Sequence, residues 1–266
     1  MGKVWLFLYR RVLPLLDERN INNDPIRGCG CLLRVGSRTF FVTAAHVFDR
    51  LVPAGFEHIG VPVGPYETTV TTLGPGAIHR TNQTATADID VGIFPLSDEV
   101  VAKLKWDCLT VKNLAALRPV SAMNEFLIFG YPNSLVLPAA DDLVRANPAF
   151  LRTSRYFGPT PQHDKRHDDV DLILAYGDKA IDGNGNEVEA PSLPGISGSP
   201  IWAVMPSGGS LWSPESALVV VAIDSAWTKK GVKDRYVVSK LWTAVLRAFE
   251  QVDADAAREI KDALYL

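Results

Sequence analysis

The chain is sparing with the residues that would staple, anchor or electrostatically steer it. Three cysteines occur among 266 residues. An odd number cannot pair completely, and Cys29 and Cys31 stand too close along an extended strand to close a useful loop. Free thiols and a reducing, cytoplasmic setting are therefore expected. A zinc site built on Cys29, Cys31 and Cys108 would need a fourth ligand at a recognisable spacing, and the sequence offers none. The net charge is −3 and the pI about 6.0. Without an excess of lysine or arginine, neither nucleic acid nor an anionic membrane surface is an expected partner.

Long apolar runs are also missing. Val4-Trp5-Leu6-Phe7-Leu8-Tyr9 follows Lys3, but Arg10-Arg11 interrupts it before any small-residue cleavage site, and no other stretch could cross a bilayer. The run reads as a short packing element, followed by Val12 to Leu16 and a polar turn at Asn20 to Asp24. Hydrophobic residues nevertheless make up 47% of the chain, enough to bury a substantial core in one large or two modest units.

Those apolar residues come in short β-branched and aromatic runs punctuated by glycine and proline, which favours an all-β barrel architecture. Cys29 to Val35, a turn at Gly36-Ser37-Arg38, and Thr39 to Thr43 read as a hairpin. Val47 to Leu51 suits a brief helical turn, and further strands fall between Ile59 and Leu73. Ser97 is placed to cap a short helix through Val100, Val101 and Leu104. Val111 to Ala122 reads as a crossing segment, and Phe126 to Phe129 opens a second half. Strands follow at Phe150 to Phe157, Leu172 to Tyr176, Ile201 to Val204 and Leu218 to Ile223. Leu241, Trp242, Val245, Leu246, Phe249 and Val252 recur at helical spacing, and a second helical turn fits Ala256 to Leu264.

Two polar stretches invite metal readings and fail them. His163-Asp164-Lys165-Arg166-His167-Asp168-Asp169 mixes signs without a regular element, as a solvated loop does. Asp182-Gly183-Asn184-Gly185-Asn186 superficially resembles a calcium loop, but Glu187 stands where the sixth-position glycine belongs and Leu193 where the closing glutamate belongs, so a hairpin turn is expected. No metal and no cofactor is called for.

The stretch around which the chain is organised is Pro194-Gly195-Ile196-Ser197-Gly198-Ser199-Pro200. Glycines on both sides of Ser197 permit a tight backbone path, on which the N–H groups of Gly195 and Ser197 can converge as an oxyanion hole. A serine nucleophile needs a base, and a base needs an orienting carboxylate. Of the five histidines only His46 has a suitable setting, at the end of Phe40-Phe41-Val42-Thr43-Ala44-Ala45, whereas His58 and His79 fall in connections. For the carboxylate, Asp90 abuts the apolar Val91-Gly92-Ile93-Phe94, where a charge would need a partner such as imidazole. Asp88 is the alternative.

Thr43-Ala44-Ala45-His46, Asp90-Val91-Gly92-Ile93 and Gly195-Ile196-Ser197-Gly198-Ser199-Pro200 together resemble the three signature blocks of the chymotrypsin-like (trypsin-fold) serine proteases, in the same order. Phe126-Leu127-Ile128-Phe129-Gly130-Tyr131-Pro132 resembles the strand that opens the second barrel in bacterial members. An α/β-hydrolase would place its histidine after its serine, and no histidine follows His167. A subtilisin-like order would need an aspartate before His46 in a glycine-rich strand-end setting, which Asp17 and Asp24 lack.

The resemblance implies two six-stranded antiparallel β-barrels with a C-terminal α-helix. Its divisions would be an N-terminal extension (1–23), a first barrel with His46 and Asp90 (24–122), a second with Ser197 (123–239), and the terminal helix (240–266). It also implies a serine endopeptidase acting on protein or peptide substrates. His46, Asp90 and Ser197 would be catalytic, Gly195 and Ser197 would form the oxyanion hole, and Ser225, Ala226 and Trp227 would line the edge that accepts an extended substrate. Ser225 would in addition support Asp90. Ile196 stands where zymogen-activated relatives carry an aspartate, so that switch is absent, as it is in bacterial intracellular members. Pro191, six residues before Ser197, replaces the charge that selects basic side chains in trypsin-like enzymes. No such preference is expected, although the nearby Glu189 leaves it barely open, and Trp227 would favour apolar or small side chains. Two further readings compete: a catalytically retired protein-binding module, and a protease gated by a regulatory protein partner.

Overall fold

The first apolar run folds as a helix, α1 (Gly2–Tyr9), and the residues after Val12 enter a strand, β1 (Leu13–Asp17). The computed structural model describes residues 2–17, 19, 24–51, 58–74, 79–80, 89–115, 120–140, 143–159, 170–182, 184–205, 212–227 and 235–265. The expected hairpin is present as β2 (Ile26–Val35) and β3 (Arg38–Thr43). Gly36 turns the chain between them at a φ of 57°, a left-handed conformation that glycine adopts without steric cost. Thereafter come α2 (Ala45–Leu51), β4 (Ile59–Pro62), β5 (Val70–Thr72), β6 (His79–Arg80), β7 (Gly92–Pro95), α3 (Asp98–Lys103) and β8 (Leu109–Thr110). Ser97 caps α3 as expected, its side chain accepting from the Val100 amide.

The second half comprises β9 (Phe126–Gly130), β10 (Val136–Ala140), β11 (Leu143–Ala146), β12 (Ala149–Thr153), β13 (Asp171–Ala175), β14 (Lys179–Ile181), β15 (Glu187–Glu189), β16 (Pro200–Val204), α4 (Pro214–Ala217), β17 (Leu218–Trp227) and β18 (Tyr236–Leu241). Two helices end the chain, α5 (Trp242–Val252) and α6 (Ala254–Tyr265). Asp253 separates them, its carboxylate accepting from the Ala256 amide. The 163–169 segment and Asp88 lie outside the described residues. Asp182 sits in a β14–β15 hairpin, where its carboxylate accepts from the Asn184 and Asn186 amides.

The architecture is all-β with C-terminal helices, but the strand count differs from two sixes. Among the described residues each half forms an eight-stranded sheet. The first runs β5-β4-β1-β2-β3-β7-β6 with β8 added to β2, and the second runs β13-β18-β17-β16-β9-β12-β14-β15. The surplus has identifiable sources. β1, inside the segment read as an extension, pairs with both β2 and β4. β8 joins β2 in parallel through Leu33 and Leu109, and the β14–β15 hairpin lengthens the second sheet beyond β12.

Each sheet has a core of its own, around Phe41, Phe48 and Phe94 in the first and Ile128, Leu174 and Ile201 in the second. The largest cluster lies between them, joining Leu33 and Val42 to Phe129, Trp202 and Val220, with α1, α5 and α6 packed on it. The amphipathic pattern of α5 thus closes a seam between sheets. Phe249, fully buried, meets Phe40 of β3 edge-on at 5.0 Å between ring centroids.

Phe249→Ala is expected to cost about 3 to 5 kcal/mol, the usual range for emptying an aromatic site in a packed core. Urea unfolding would read this as a lower midpoint at unchanged slope. A loss below about 1 kcal/mol, typical of surface changes, would mean that α5 contributes little to joining the sheets.

Candidate active site

His46 lies in the first turn of α2 rather than at the end of β3, so both its amide and its ring face the chain that precedes β7. Asp90 occupies that chain. One carboxylate oxygen accepts from the His46 amide at 2.8 Å and the other lies 2.6 Å from His46 Nδ1. From the second sheet, the Ser225 hydroxyl donates to the same oxygen at 2.5 Å. An ionised carboxylate only accepts, so Nδ1 carries a ring proton, and in the neutral ring Nε2 is the acceptor. The Asp90 side chain is 14% exposed and that of His46 26%. Burial pushes the Asp90 carboxyl up, but the His46 ring, the Ser225 hydroxyl and the His46 amide outweigh it and leave the net value below the usual carboxylate range.

Ser197 reaches the same seam through its backbone. The Cys29 amide donates to the Ser197 carbonyl at 2.7 Å, and the Gly198 amide donates to Asp224 O at 2.8 Å. Gly198, at φ 92°, lies so close to the first sheet that a Cβ there would fall 2.0 Å from Thr43 Oγ1 and 2.1 Å from Cys29 O. Gly28 permits the approach from the other side, since its Cβ would meet the Val47 side chain at 2.6 Å and Ser197 O at 2.8 Å. Thr43, three residues before His46, donates its hydroxyl to Cys29 O. The turn therefore presses on the strand that leads into His46.

The predicted residues are gathered to different degrees. His46, Asp90 and Ser225 are joined by hydrogen bonds. Ser197 is tied by its carbonyl to Cys29, and the next residue, Gly198, to Asp224 beside Ser225, but among the described residues the Ser197 hydroxyl has no hydrogen-bond partner, His46 included. Nucleophile–base contacts are often long in unliganded sites. Gly195 takes a φ of 101°, and among the described residues neither its N–H nor that of Ser197 donates to the protein. Ser225, Ala226 and Trp227 form the end of β17, where Ala226 and Trp227 pair with Val238 and Val237 of β18. The side chain of Trp227 lies outside the described residues. Among the described residues no cluster of His, Cys, Asp or Glu is suited to a metal, and no helix is long and apolar enough to cross a membrane.

Several residues that hold the site were not singled out beforehand. Asn133 binds the backbone of Ile26 with both ends of its amide while its own N–H donates to Pro194 O, tying the start of β2 to the turn before Ser197. Cys29, a free thiol like Cys31 and Cys108, directs its sulfur to Gly195 O at 3.1 Å, and burial pushes it up to about 12. It is a structural donor, not a reactive thiolate. Asp224, beside Ser225, is 1% exposed, and neither carboxyl oxygen makes a well-formed hydrogen bond among the described residues. Burial, reinforced by the charge of Asp90 and only partly opposed by the Ser225 amide, pushes its carboxyl well above the usual range.

No family model and no curated protein matches the chain. Among solved structures, it overlaps the serine protease domain of the Sesbania mosaic virus polyprotein at 13% identity over 89% of this chain and 90% of that one, with a TM-score of 0.46. A second, on aromatic interactions that drive coupled folding and binding of the intrinsically disordered VPg protein of the same virus, overlaps at 13% identity over 89% and 87%, with a TM-score of 0.48. Overlap of that extent assigns no role to any residue.

The raised carboxyl of Asp224 fixes the sign of a stability effect. Below the unfolded value of about 3.9 both states are protonated. As pH rises above it, the unfolded chain ionises while the folded carboxyl stays neutral, so folding loses stability until the raised folded value is reached. Asp224→Asn removes that loss. Urea midpoints are expected to be higher for the variant at neutral pH and to converge with the wild type near about pH 4. A variant less stable at neutral pH would show that the carboxyl is paired in solution.

Proposed function

We propose that this protein is a serine endopeptidase. The observation that carries the reading is the bonding of His46 Nδ1 to an Asp90 carboxylate itself held by Ser225, beside a serine turn with two uncommitted amides. In this reading Nε2 of His46 takes the Ser197 proton as Oγ attacks a peptide carbonyl, Asp90 holds the tautomer and stabilises the imidazolium, and the amides of Gly195 and Ser197 receive the oxyanion. His46 then protonates the leaving amine, and water repeats the sequence on the acyl-enzyme. In this reading residues 24–122 and 123–239 are the two halves that bring these groups together, with β1 of the 1–23 segment completing the first sheet and the helices of 240–266 packed across the seam. Three free thiols support a reducing, cytoplasmic setting, and Ile196 in place of an activation aspartate supports kinship with bacterial intracellular members.

One observation favours a second reading. The Ser197 hydroxyl and His46 are not hydrogen-bonded, as they would not be in a retired protein-binding module. They would also be apart in a protease whose regulatory partner completes the site on binding.

A fluorophosphonate probe tests the first reading. The expected outcome is an adduct on Ser197, located by peptide mass spectrometry, that is lost in Ser197→Ala and His46→Ala and kept in Ser199→Ala. Peptide turnover in Ser197→Ala should fall by about 10³-fold or more. A folded wild type that takes no label alone or with a captured partner would favour the binding module.

A further inference from the structure

Behind the turn that carries Ser197, a row of polar side chains crosses the second sheet. Ser239 on β18 stands directly opposite Asp224 on β17. Asp224 in turn exchanges backbone hydrogen bonds with Ser199 and Gly198, and Ser199 Oγ lies 2.5 Å from where a Cβ on Gly130 of β9 would be. Residues directly opposed on neighbouring strands project to the same face. That face is apolar elsewhere: Leu172, opposite Ser239 on β13, belongs to the cluster that also holds Leu193 and Ile196. Within it Ser239 Oγ and both oxygens of Asp224 are buried and unpartnered among the described residues, as is Ser199 Oγ, which lies beside the Cys29 thiol without a well-formed bond to it.

Unpartnered polar groups at this depth oppose folding, and apolar residues at 224 and 239 would remove the cost. Their position suggests what they serve. β17 outruns its partner β16: the last bond on that side is Gly198 N–H to Asp224 O, and from Ser225 onward the pairing among the described residues is with β18 alone. The open edge begins beside Ser197. A peptide added there as a strand brings a carbonyl to Ser197 and directs that residue's side chain to one face of β17 or the other. The Ser225 face is closed by Asp90 and His46. The other is the face of Asp224.

We infer that Asp224, with the Ser239 hydroxyl beside it, is the specificity-determining carboxylate of this site, receiving the ammonium or guanidinium of a lysine or arginine whose carbonyl Ser197 attacks. The inference rests on the endopeptidase reading and replaces the expectation, drawn from Pro191, that basic side chains are not preferred. The carboxyl comes from β17 instead of the segment six residues before the nucleophile, and the arriving cation drives to solvent the proton that burial otherwise keeps on it. A cation is favoured over a neutral donor because the row offers acceptors and hydroxyls, and because Asp90 adds a second negative charge nearby. A long side chain suits a carboxyl this deep, and exclusion of water strengthens a charge-assisted fork of hydrogen bonds.

Two measurements test it. Benzamidine, a bare amidinium probe that needs no turnover, is titrated into wild type, Ser197→Ala and Asp224→Asn by calorimetry. The expected result is similar binding to the first two and at least a tenfold weaker affinity for the third. In parallel, wild type is given a mixed peptide library and its cleavage sites are read by mass spectrometry, a readout that depends on no variant folding. Cuts after lysine and arginine support the inference. Ser197 labelled and peptides cut after neutral residues, or benzamidine affinity unmoved by Asp224→Asn, overturns it and leaves the endopeptidase reading standing. A wild type that takes no label and cuts nothing overturns that reading, and this inference with it.

Discussion

The Asp90 carboxylate is the group on which the rest of the site depends. Buried alone, it would give up its charge or be expelled toward water. It stays because three donors converge on it, two from His46 in the first half and one from Ser225 in the second. Each donor has a second effect. The His46 amide fixes the start of α2, the ring is held in one tautomer, and the Ser225 hydroxyl fastens the end of β17 to the opposite sheet. One anion thus sets a ring orientation and a sheet-to-sheet distance together.

The opposite side of the seam is held by the lack of side chains. Gly28 and Gly198 let the Ser197 turn sit on β2 at a separation that a methyl group would prevent. At that separation the Cys29 amide reaches the Ser197 carbonyl, the Thr43 hydroxyl reaches Cys29 O, and Asn133 spans from Ile26 to the turn. Cys29 fits because its sulfur is small and weakly polar, and can point at Gly195 O where a longer apolar side chain would collide or leave the carbonyl unmet.

Much of this was legible in the sequence because it was local. The β2–β3 hairpin announced itself through alternating runs and Gly36, the α3 cap through Ser97, and α5 through its helical period. The residues around His46, Asp90 and Ser197 each sat in short, distinctive contexts. Gly28 and Asp224 did not. A glycine in a strand is ordinary until a distant carbonyl is found against it, and an aspartate beside Ser225 reads as a strand end until its neighbours on three other strands are known. The added strands were not legible for the same reason: β1 and β8 join the first sheet through pairings remote in sequence, which periodicity does not encode.

Ser225 lies 135 residues from Asp90 in the chain. During synthesis the first half emerges, with His46 and Asp90 able to meet, while the Ser197 turn and the Ser225 clasp do not yet exist. Contacts so distant in sequence are the late, slow ones in folding, so the assembled site arrives only when both sheets have formed and docked. The protein carries its own delay: no fragment that ends before β17 possesses the clasp, and in such a fragment the Asp90 carboxylate has the two donors of His46 alone.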